Sequence, residues 1–261
     1  MKTALSFPGL GAFFFLLLTL LSSDASAQII YAGGDYTQDF NSLQDSAIYT
    51  NYTTMPTGWQ VSHGSYVWTN GSTGYSANYG TYVFASVAGA LDKAIGLVLG
   101  TTGAASITAD FVNNTGVTIS SFTLSYYEEE WVKGAVTGSD QVTTFQYALN
   151  PGSAISDPYV NFSALDMHSI NDGDGVSAPL DGNATANRQF ITATVSGLNW
   201  LPGEDLALRW TGNAYSFSTS HAMALDDLTF TTPVAAPEPG TVCLAFLGLL
   251  FGFTLRRRVS V

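Results

Sequence analysis

The sequence predicts an all-β protein whose strands form a two-sheet antiparallel sandwich, with a hydrophobic segment at each end of the chain. No long stretch has helical periodicity, whereas short runs rich in Thr, Val, Tyr and Phe alternate with clusters of Gly, Asn, Ser and Asp. Eleven such runs lie between the two hydrophobic ends, in a length that fits one domain. Eleven strands in one domain indicate two packed sheets.

The first element is a signal peptide. Lys2 precedes an apolar run at 10–21, and Ala25-Ser26-Ala27 supplies the small residues at which signal peptides are cleaved. We therefore expect residues 1–27 to be removed on export. The next unit is the body, which we define as residues 28–232.

The body contains the predicted strands one after another, separated by turn residues. The run 117–130 has the clearest alternation, because Phe122, Leu124 and Tyr126 share one face and Tyr127 lies on the other. The predicted strands span 36–41, 58–62, 66–69, 81–85, 94–99, 105–112, 117–130, 141–149, 188–195, 205–210 and 222–230.

The body is strongly acidic. Its basic residues are Lys93, Lys133, Arg188 and Arg209, and it holds 18 of the chain's 20 acidic residues, which gives a net charge of −14. Such a surface repels phosphate backbones and anionic lipid. We therefore expect no nucleic-acid partner.

The C-terminal element has three parts. Pro237, Glu238 and Pro239 lie in a linker at 233–240, and the prolines prevent a helix from running back into the body. Fifteen uncharged residues follow at 241–255, and then Arg256, Arg257 and Arg258. We expect 241–258 to form a single transmembrane helix with a basic stop, whose arginines stay on the cytoplasmic side.

These three parts resemble the PEP-CTERM sorting signal of Gram-negative bacteria. The motif is Pro237-Glu238-Pro239, the helix lies at 244–255, and the basic end is Arg256 to Arg258. The resemblance implies recognition by a membrane-embedded exosortase, cleavage near the motif, and release or attachment at the cell surface. Such proteins are common in organisms that build extracellular polysaccharide.

The body resembles a jelly-roll module of secreted bacterial proteins that is related to carbohydrate-binding and MAM-type domains. The resemblance implies a jelly-roll sandwich, without an assigned activity. The motifs that carry it are Gln38-Asp39-Phe40, Met55-Pro56-Thr57-Gly58-Trp59, Glu129 with Trp131, Leu180-Asp181-Gly182-Asn183, Asn187-Arg188, Leu208-Arg209-Trp210, and His221 followed by Ala224-Leu225-Asp226-Asp227-Leu228.

Glu128, Glu129 and Glu130 are the candidate catalytic residues. Paired carboxylates suggest a glycosidase, in which two carboxyl groups flank the scissile bond. The spacing alone does not set the required separation, so we expect a solvated strand end. The chain also has no nucleophile elbow, metal-hydrolase histidine pair or phosphate loop. We therefore expect no enzyme, with a glycan-active enzyme using Glu128 to Glu130 as the alternative.

Asp226 interrupts an apolar strand. Without a bulge it shares a face with Leu228 and Phe230, so its carboxylate would point toward the core, which is costly unless the charge is balanced. Three solutions are open: pairing with Arg209 or another donor, a structural Ca²⁺ held by Asp226 and Asp39, or a β-bulge that turns Asp226 and Asp227 outward. No other cofactor is expected.

The candidate sugar-binding residues are Tyr127 and Trp131, beside Glu129. Alternation places them on the face of the strand opposite to Phe122, Leu124 and Tyr126. A flat aromatic ring on that face can stack on the apolar face of a sugar. Packing under a loop is the alternative, and Trp59 and Trp210 are expected to be buried. The sequence thus predicts an exported surface or matrix protein that binds or scaffolds polysaccharide, with a self-associating adhesive protein as a further alternative.

Overall fold

The computed structural model describes residues 27–43, 55–62, 67–72, 80–99, 104–135, 137–138, 140–151, 158–212 and 220–233. The predicted signal peptide, apart from its last residue Ala27, and the predicted transmembrane segment at 241–258 lie outside them. The described residues include two short 3₁₀ turns, Ser163–Leu165 and Thr185–Asn187. Their strands are β1 (Ile29–Tyr31), β2 (Tyr36–Gln38), β3 (Trp59–Ser62), β4 (Val67–Thr69), β5 (Gly80–Phe84), β6 (Ala94–Val98), β7 (Ala105–Asn113), β8 (Ile119–Lys133), β9 (Val142–Leu149), β10 (Val160–Asn161), β11 (Met167–His168), β12 (Ala178–Pro179), β13 (Arg188–Trp200), β14 (Asp205–Gly212) and β15 (Ala222–Thr231).

The strands form two sheets, as the sequence predicts. Sheet A has seven strands in the order β1-β7-β14-β9-β10, with β3 also on β7 and β11 also on β9. Sheet B has eight strands in the order β12-β8-β15-β6-β5-β4, with β13 also on β8 and β2 also on β15. Most pairs are antiparallel, and the short pairs β1–β7 and β4–β5 are parallel. The protein is therefore an all-β sandwich of the jelly-roll type.

The main core lies between the two sheets. Alternation along β7 buries every second side chain, as a strand with one face on a core requires. Trp59 and Trp210 are both buried and stack with ring centroids 6.0 Å apart, which confirms the prediction for these two residues. Phe111 and Phe230 stack across the sandwich at 4.6 Å.

A second apolar cluster lies on the outer face of sheet B, around Trp131 and Phe84. β12 pairs with the end of β8 within sheet B, and there the Leu180 N–H donates to the Trp131 carbonyl at 2.9 Å. The loop that follows, at 181–187, lies over the outer face. Gly182 packs directly on the indole, since an added Cβ would lie 2.3 Å from Trp131 Nε1. This end of sheet B is therefore buried on both faces.

A β-bulge in β15 changes the face on which Asp226 lies. The pairing with β8 shifts register between Asp226 and Thr229, and Asp227 has φ 48°. Because the bulge adds a residue, Leu225 and Leu228 both face the core, while Asp226 stays on the outer face. The structure thus has the β-bulge that was the third solution for Asp226, and because of it Asp226 does not share a face with Leu228 and Phe230.

All eleven predicted strands occur, and several extend beyond their predicted C-terminal ends. β8 continues through the glutamates to Lys133, and β13 continues to Trp200. Four short strands, β1, β10, β11 and β12, were not predicted. Within the described part of the chain, no helix has the length and apolar character needed to cross a membrane.

Candidate functional site

Glu128, Glu129 and Glu130 are all buried, so the expected solvated strand end is wrong. The cause is that β8 runs on past them as a central strand. Glu129 pairs with Arg188 of β13 on one side and with Ala224 of β15 on the other.

Glu130 faces the interior and is held by several groups. Its Oε2 accepts hydrogen bonds from the backbone N–H groups of Ile170 and Asn171 at 2.9 and 2.7 Å. Its Oε1 lies 2.5 Å from Nδ1 of His221, and both side chains are fully buried. Gln141 completes this polar group, since its Oε1 accepts the His221 N–H at 2.8 Å. These contacts tie β8 to β15 and to the segment after β11.

Glu128 is also turned inward. Burial raises the pKa of its carboxyl to about 8, and its Oε1 has no hydrogen-bond partner. A glycosidase places two carboxyl groups on either side of a bound sugar linkage. Since Glu128 and Glu130 are buried, the geometry gives no support to the glycan-active alternative.

The structure brings other predicted residues together on the outer face of sheet B. Tyr127 lies between Phe190 of β13 and Asp226 of β15, and the next row places Glu129 beside Arg188. We call this surface the Tyr127 patch, and its members are Tyr127, Glu129, Arg188, Phe190, Asp226 and Asp227.

Arg188 is the centre of the Tyr127 patch. Its guanidinium carbon lies 3.9 Å from the centroid of the Tyr127 ring, within the range of a cation–π contact. Its Nη2 is 3.4 Å from Glu129 Oε1 and 3.6 Å from Asp227 Oδ2. The arginine therefore holds the aromatic ring and two carboxylates in one arrangement.

Phe190 gives the patch an exposed aromatic surface. It is 53% exposed, and its ring centroid lies 5.2 Å from that of the half-buried Tyr127, with an interplanar angle of 58°. An apolar ring in solvent beside fixed polar groups suits a ligand with apolar and hydroxylated faces.

Two carboxyls of the patch ionise close to neutral pH. Burial raises the pKa of Glu129 to about 7, against the lowering effect of Arg188. Burial, with a smaller effect from Glu129, raises the pKa of Asp226 to about 8, and its Oδ1 has no hydrogen-bond partner. The local charge of the patch therefore changes across the neutral range.

Arg209 is not the partner of Asp226. It lies in sheet A, where its Nη2 donates to Gln146 Oε1 at 2.6 Å and its guanidinium covers the Tyr159 ring. Pairing of Asp226 with Arg209 is therefore ruled out, because the two residues belong to different sheets.

The calcium site at Asp226 and Asp39 stays a prediction. Asp39 follows β2, whose last residue Gln38 pairs with Leu228, so it lies near the bulge. Its exposed carboxylate accepts the Asn41 N–H at 3.1 Å. Within the ranges that the structure describes, no group of three His, Cys, Asp or Glu side chains is arranged to hold a metal ion.

Trp131 does not present a face to solvent, so its predicted exposure is wrong. It is 1% exposed and stacks on Phe84 with centroids 5.7 Å apart. Its Nε1–H donates to Glu129 Oε2 at 3.1 Å. The physical reason is the loop at 181–187, in which Gly182 allows close approach to the indole.

Hydroxyl side chains continue the outer face beyond the patch. One row crosses four strands through Thr37, Thr229, Ser125 and Thr192, and the next holds Thr231, Thr123 and Thr194. All of these residues are exposed or half-buried. Sheet B thus presents a polar surface of regular donors and acceptors beside the aromatic patch.

A separate pocket of about 380 Å³ lies away from these residues. It opens between Gly33, Thr115, Ser120 and Pro233, where β15 leads toward the sorting segment. None of the sequence-predicted site residues lines it.

Comparison with known proteins identifies the C-terminal segment. Residues 235–258 match the PEP-CTERM protein-sorting motif. The chain is therefore an exported protein of the kind that an exosortase processes, as the sequence predicts. No curated protein matches the chain.

Several solved structures resemble the body in fold. The CBM22-1 xylan-binding domain of Xyn10C from Paenibacillus barcinonensis is 13% identical, with 78% of this chain and 98% of that chain covered and a TM-score of 0.41. The family 11 carbohydrate-binding module from Clostridium thermocellum is 10% identical, with 79% and 100% covered and a TM-score of 0.36. The N-terminal cellulose-binding domain of β-1,4-glucanase C from Cellulomonas fimi is 14% identical, with 70% and 93% covered and a TM-score of 0.35. At these values the likeness carries no ligand over to this chain.

Proposed function

We propose that this exported protein resides at the cell surface or in the extracellular matrix of a Gram-negative bacterium, and that its body binds polysaccharide without catalysing a reaction. The observation that carries the proposal is the Tyr127 patch, in which exposed Phe190 lies beside Tyr127 and Arg188 on the outer face of sheet B. The PEP-CTERM segment supports the location.

The patch supplies both kinds of contact that a sugar needs. The exposed face of Phe190 stacks on the C–H face of a pyranose ring, and Arg188 and Asp227 form hydrogen bonds to its hydroxyls. The Thr and Ser rows extend this surface along the strands. Successive side chains on one face of a strand repeat about every 6.7 Å, so a chain of sugars meets hydroxyl groups at regular intervals.

The charge of the body favours a neutral polysaccharide over a uronic-acid polymer. The body carries −14, and the only cation of the patch already faces Glu129 and Asp227. A polyanionic chain would meet net repulsion at this surface. Neutral hexose or pentose polymers meet no such repulsion.

Substitution of the exposed ring tests this proposal. We expect Phe190→Ala to weaken binding by roughly twofold to tenfold, since an aromatic contact contributes about 0.5–1.5 kcal/mol beyond its area. The full-length chain in detergent is screened on a glycan array, with and without calcium, and affinities for the polysaccharides bound are then measured by calorimetry. Tyr127→Phe keeps the ring and is expected to bind like the wild type.

Val160→Ala is the matched control, because Val160 is 49% exposed but lies on sheet A. Full affinity in Phe190→Ala would exclude the Tyr127 patch as the binding surface. Equal losses in Phe190→Ala and Val160→Ala would attribute the effect to general surface change. Binding of uronate polymers in preference to neutral ones would contradict the charge argument.

A further inference from the structure

β13 is an edge strand of sheet B. It pairs with β8 from Arg188 opposite Glu129 to Trp200 opposite Ile119, and within the described ranges no second strand pairs with it. The 3₁₀ turn at Ser163–Leu165 lies near β13, with Leu165 in the core and its carbonyl accepting the Tyr126 hydroxyl. Among the described residues, no backbone hydrogen bond joins this turn to β13. About half of the backbone N–H and C=O groups of β13 therefore point away from the sheet.

This edge lacks most of the features that usually prevent strand addition. From Gln189 to Trp200 it contains no charged residue and no proline, whereas protected edges carry Lys, Pro or inward charges. Its irregularity lies near its C-terminal end, at Gly197 with φ 79°. In a body with a net charge of −14, this long uncharged edge is a place where two copies can pair without setting like charges directly opposite each other.

The sequence of β13 is complementary to itself. Residues 191–195 read Ile-Thr-Ala-Thr-Val, a palindrome in side-chain character about Ala193. In an antiparallel pair related by a two-fold axis through Ala193, Ile191 lies opposite Val195 of the second copy and Thr192 lies opposite Thr194. β-branched pairs and Thr–Thr pairs stabilise facing strands, and a small residue at the axis allows close approach.

We propose that two copies of this chain associate through antiparallel pairing of their β13 strands about Ala193. The pairing joins the two B sheets into one continuous sheet and satisfies the free backbone groups of both edges. The interface is isologous, because each contact from one copy is repeated by the other. The Thr side chains remain on the outer face and the Ile and Val side chains on the core side.

A charge-swap experiment tests this pairing. One variant carries Thr192→Lys and Thr194→Lys, and the other carries Thr192→Glu and Thr194→Glu. Like charges directly opposite each other destabilise paired strands, so each variant alone should have its dimer dissociation constant raised at least about tenfold. A one-to-one mixture should restore the dimer.

The measurement is sedimentation velocity of the full-length chain in detergent over a range of concentrations. Both variants lose the same Thr123–Thr194 hydroxyl contact, so rescue in the mixture separates pairing from misfolding. A monomeric wild type, variants that dimerise as well as the wild type, or a mixture that stays monomeric would each overturn the proposal.

A cross-link locates the axis independently. Cys243 is the only cysteine of the chain, so a Cys243→Ser background is free of thiols. Ala193→Cys in that background places two cysteines opposite each other at about 4.5–5.5 Å between Cα atoms, within disulfide range. Oxidation should give a reducible covalent dimer. Thr37→Cys, on β2, is the control and should not cross-link, and equal cross-linking of the two variants would contradict the assigned axis.

Discussion

Asp226 is a buried carboxyl that neither Arg188 nor Arg209 neutralises. The ion pairs of Arg188 reach Glu129 and Asp227, and Arg209 bonds to Gln146 in sheet A. Asp226 avoids the cost of a buried charge by staying protonated at neutral pH, because burial raises its pKa from 3.8 to about 8. A neutral acid at this position removes the need for a counter-charge at neutral pH.

Replacement of Asp226 by asparagine tests this account. The folded state keeps the proton to a higher pH than the unfolded state, so the stability that protonated Asp226 contributes is present below about pH 4 and is lost as the pH rises to about 8. Asp226→Asn cannot ionise, and we expect it to raise Tm at pH 9 and to have a much smaller effect at pH 5. The difference should be on the order of a few kcal/mol at high pH.

The measurement is thermal unfolding by circular dichroism at pH 5, 7 and 9, in calcium and in chelator. Asp227→Asn is the control, because Asp227 is exposed, and its Tm should change little across the series. If Asp226 instead binds calcium, chelator will lower the wild-type Tm at pH 7, and Asp226→Asn will be less stable than the wild type in calcium.

At the scale of elements, the positions of the strands could be predicted from the sequence better than which side chains come together on each face of a sheet. Strand periodicity identifies Phe122, Leu124 and Tyr126 as inward residues because the pattern is local. It does not identify Phe190 and Arg188 as neighbours of Tyr127, since that depends on which register β13 takes against β8. Strand periodicity also gives the wrong face for Asp226. The bulge adds one residue to β15, so residues before it and residues after it no longer alternate in the same phase.

The loop at 181–187 accounts for the error at Trp131. Gly182 is the signal in the sequence, because only a residue without a Cβ lets the backbone approach an indole so closely. The sequence does not show that the loop around Gly182 lies over the outer face of sheet B, so Gly182 alone does not predict that Trp131 is covered. Half of the predicted sugar surface is therefore covered, while Tyr127 lies just beyond the covering segment and remains half-exposed.

We expect Gly182→Ala to displace this covering segment. The new Cβ would lie 2.3–2.4 Å from the Trp131 indole, which is itself stacked on Phe84. Overpacking of this kind costs about 1–3 kcal/mol, so Tm should fall and tryptophan emission should shift to longer wavelength as Trp131 meets water. Thr185→Ala, on an exposed side chain of the same segment, should leave both readings unchanged. Unchanged emission in Gly182→Ala would show that the segment does not depend on close packing at Gly182.

At the scale of the whole molecule, the proposed strand pairing and the proposed polysaccharide binding use the same sheet without competing for the same atoms. Pairing through β13 uses backbone groups at the edge, whereas the Tyr127 patch and the Thr rows use side chains on the outer face. Two copies joined through β13 would present two patches on one continuous face. A long polymer bound at one patch would then be held close to the second patch. Its overall affinity would rise because of this high local concentration, without any new kind of contact.

The sorting segment decides where this surface acts, and its arginines are the part that can be tested most directly. Cytoplasmic positive charge orients a membrane segment, so Arg256→Gln, Arg257→Gln and Arg258→Gln together should reduce retention at the membrane and the yield of processed protein. The matched control replaces the same three residues with lysine, which keeps the charge and should preserve orientation.

Immunoblots of membrane, cell-surface and medium fractions give the distribution of the protein. Alkaline phosphatase fused after Thr232 should be active in the wild type, because we expect the body to lie outside the cytoplasm. An inactive fusion would contradict the orientation, and wild-type processing of the glutamine variant would show that the exosortase recognises the motif without the basic stop.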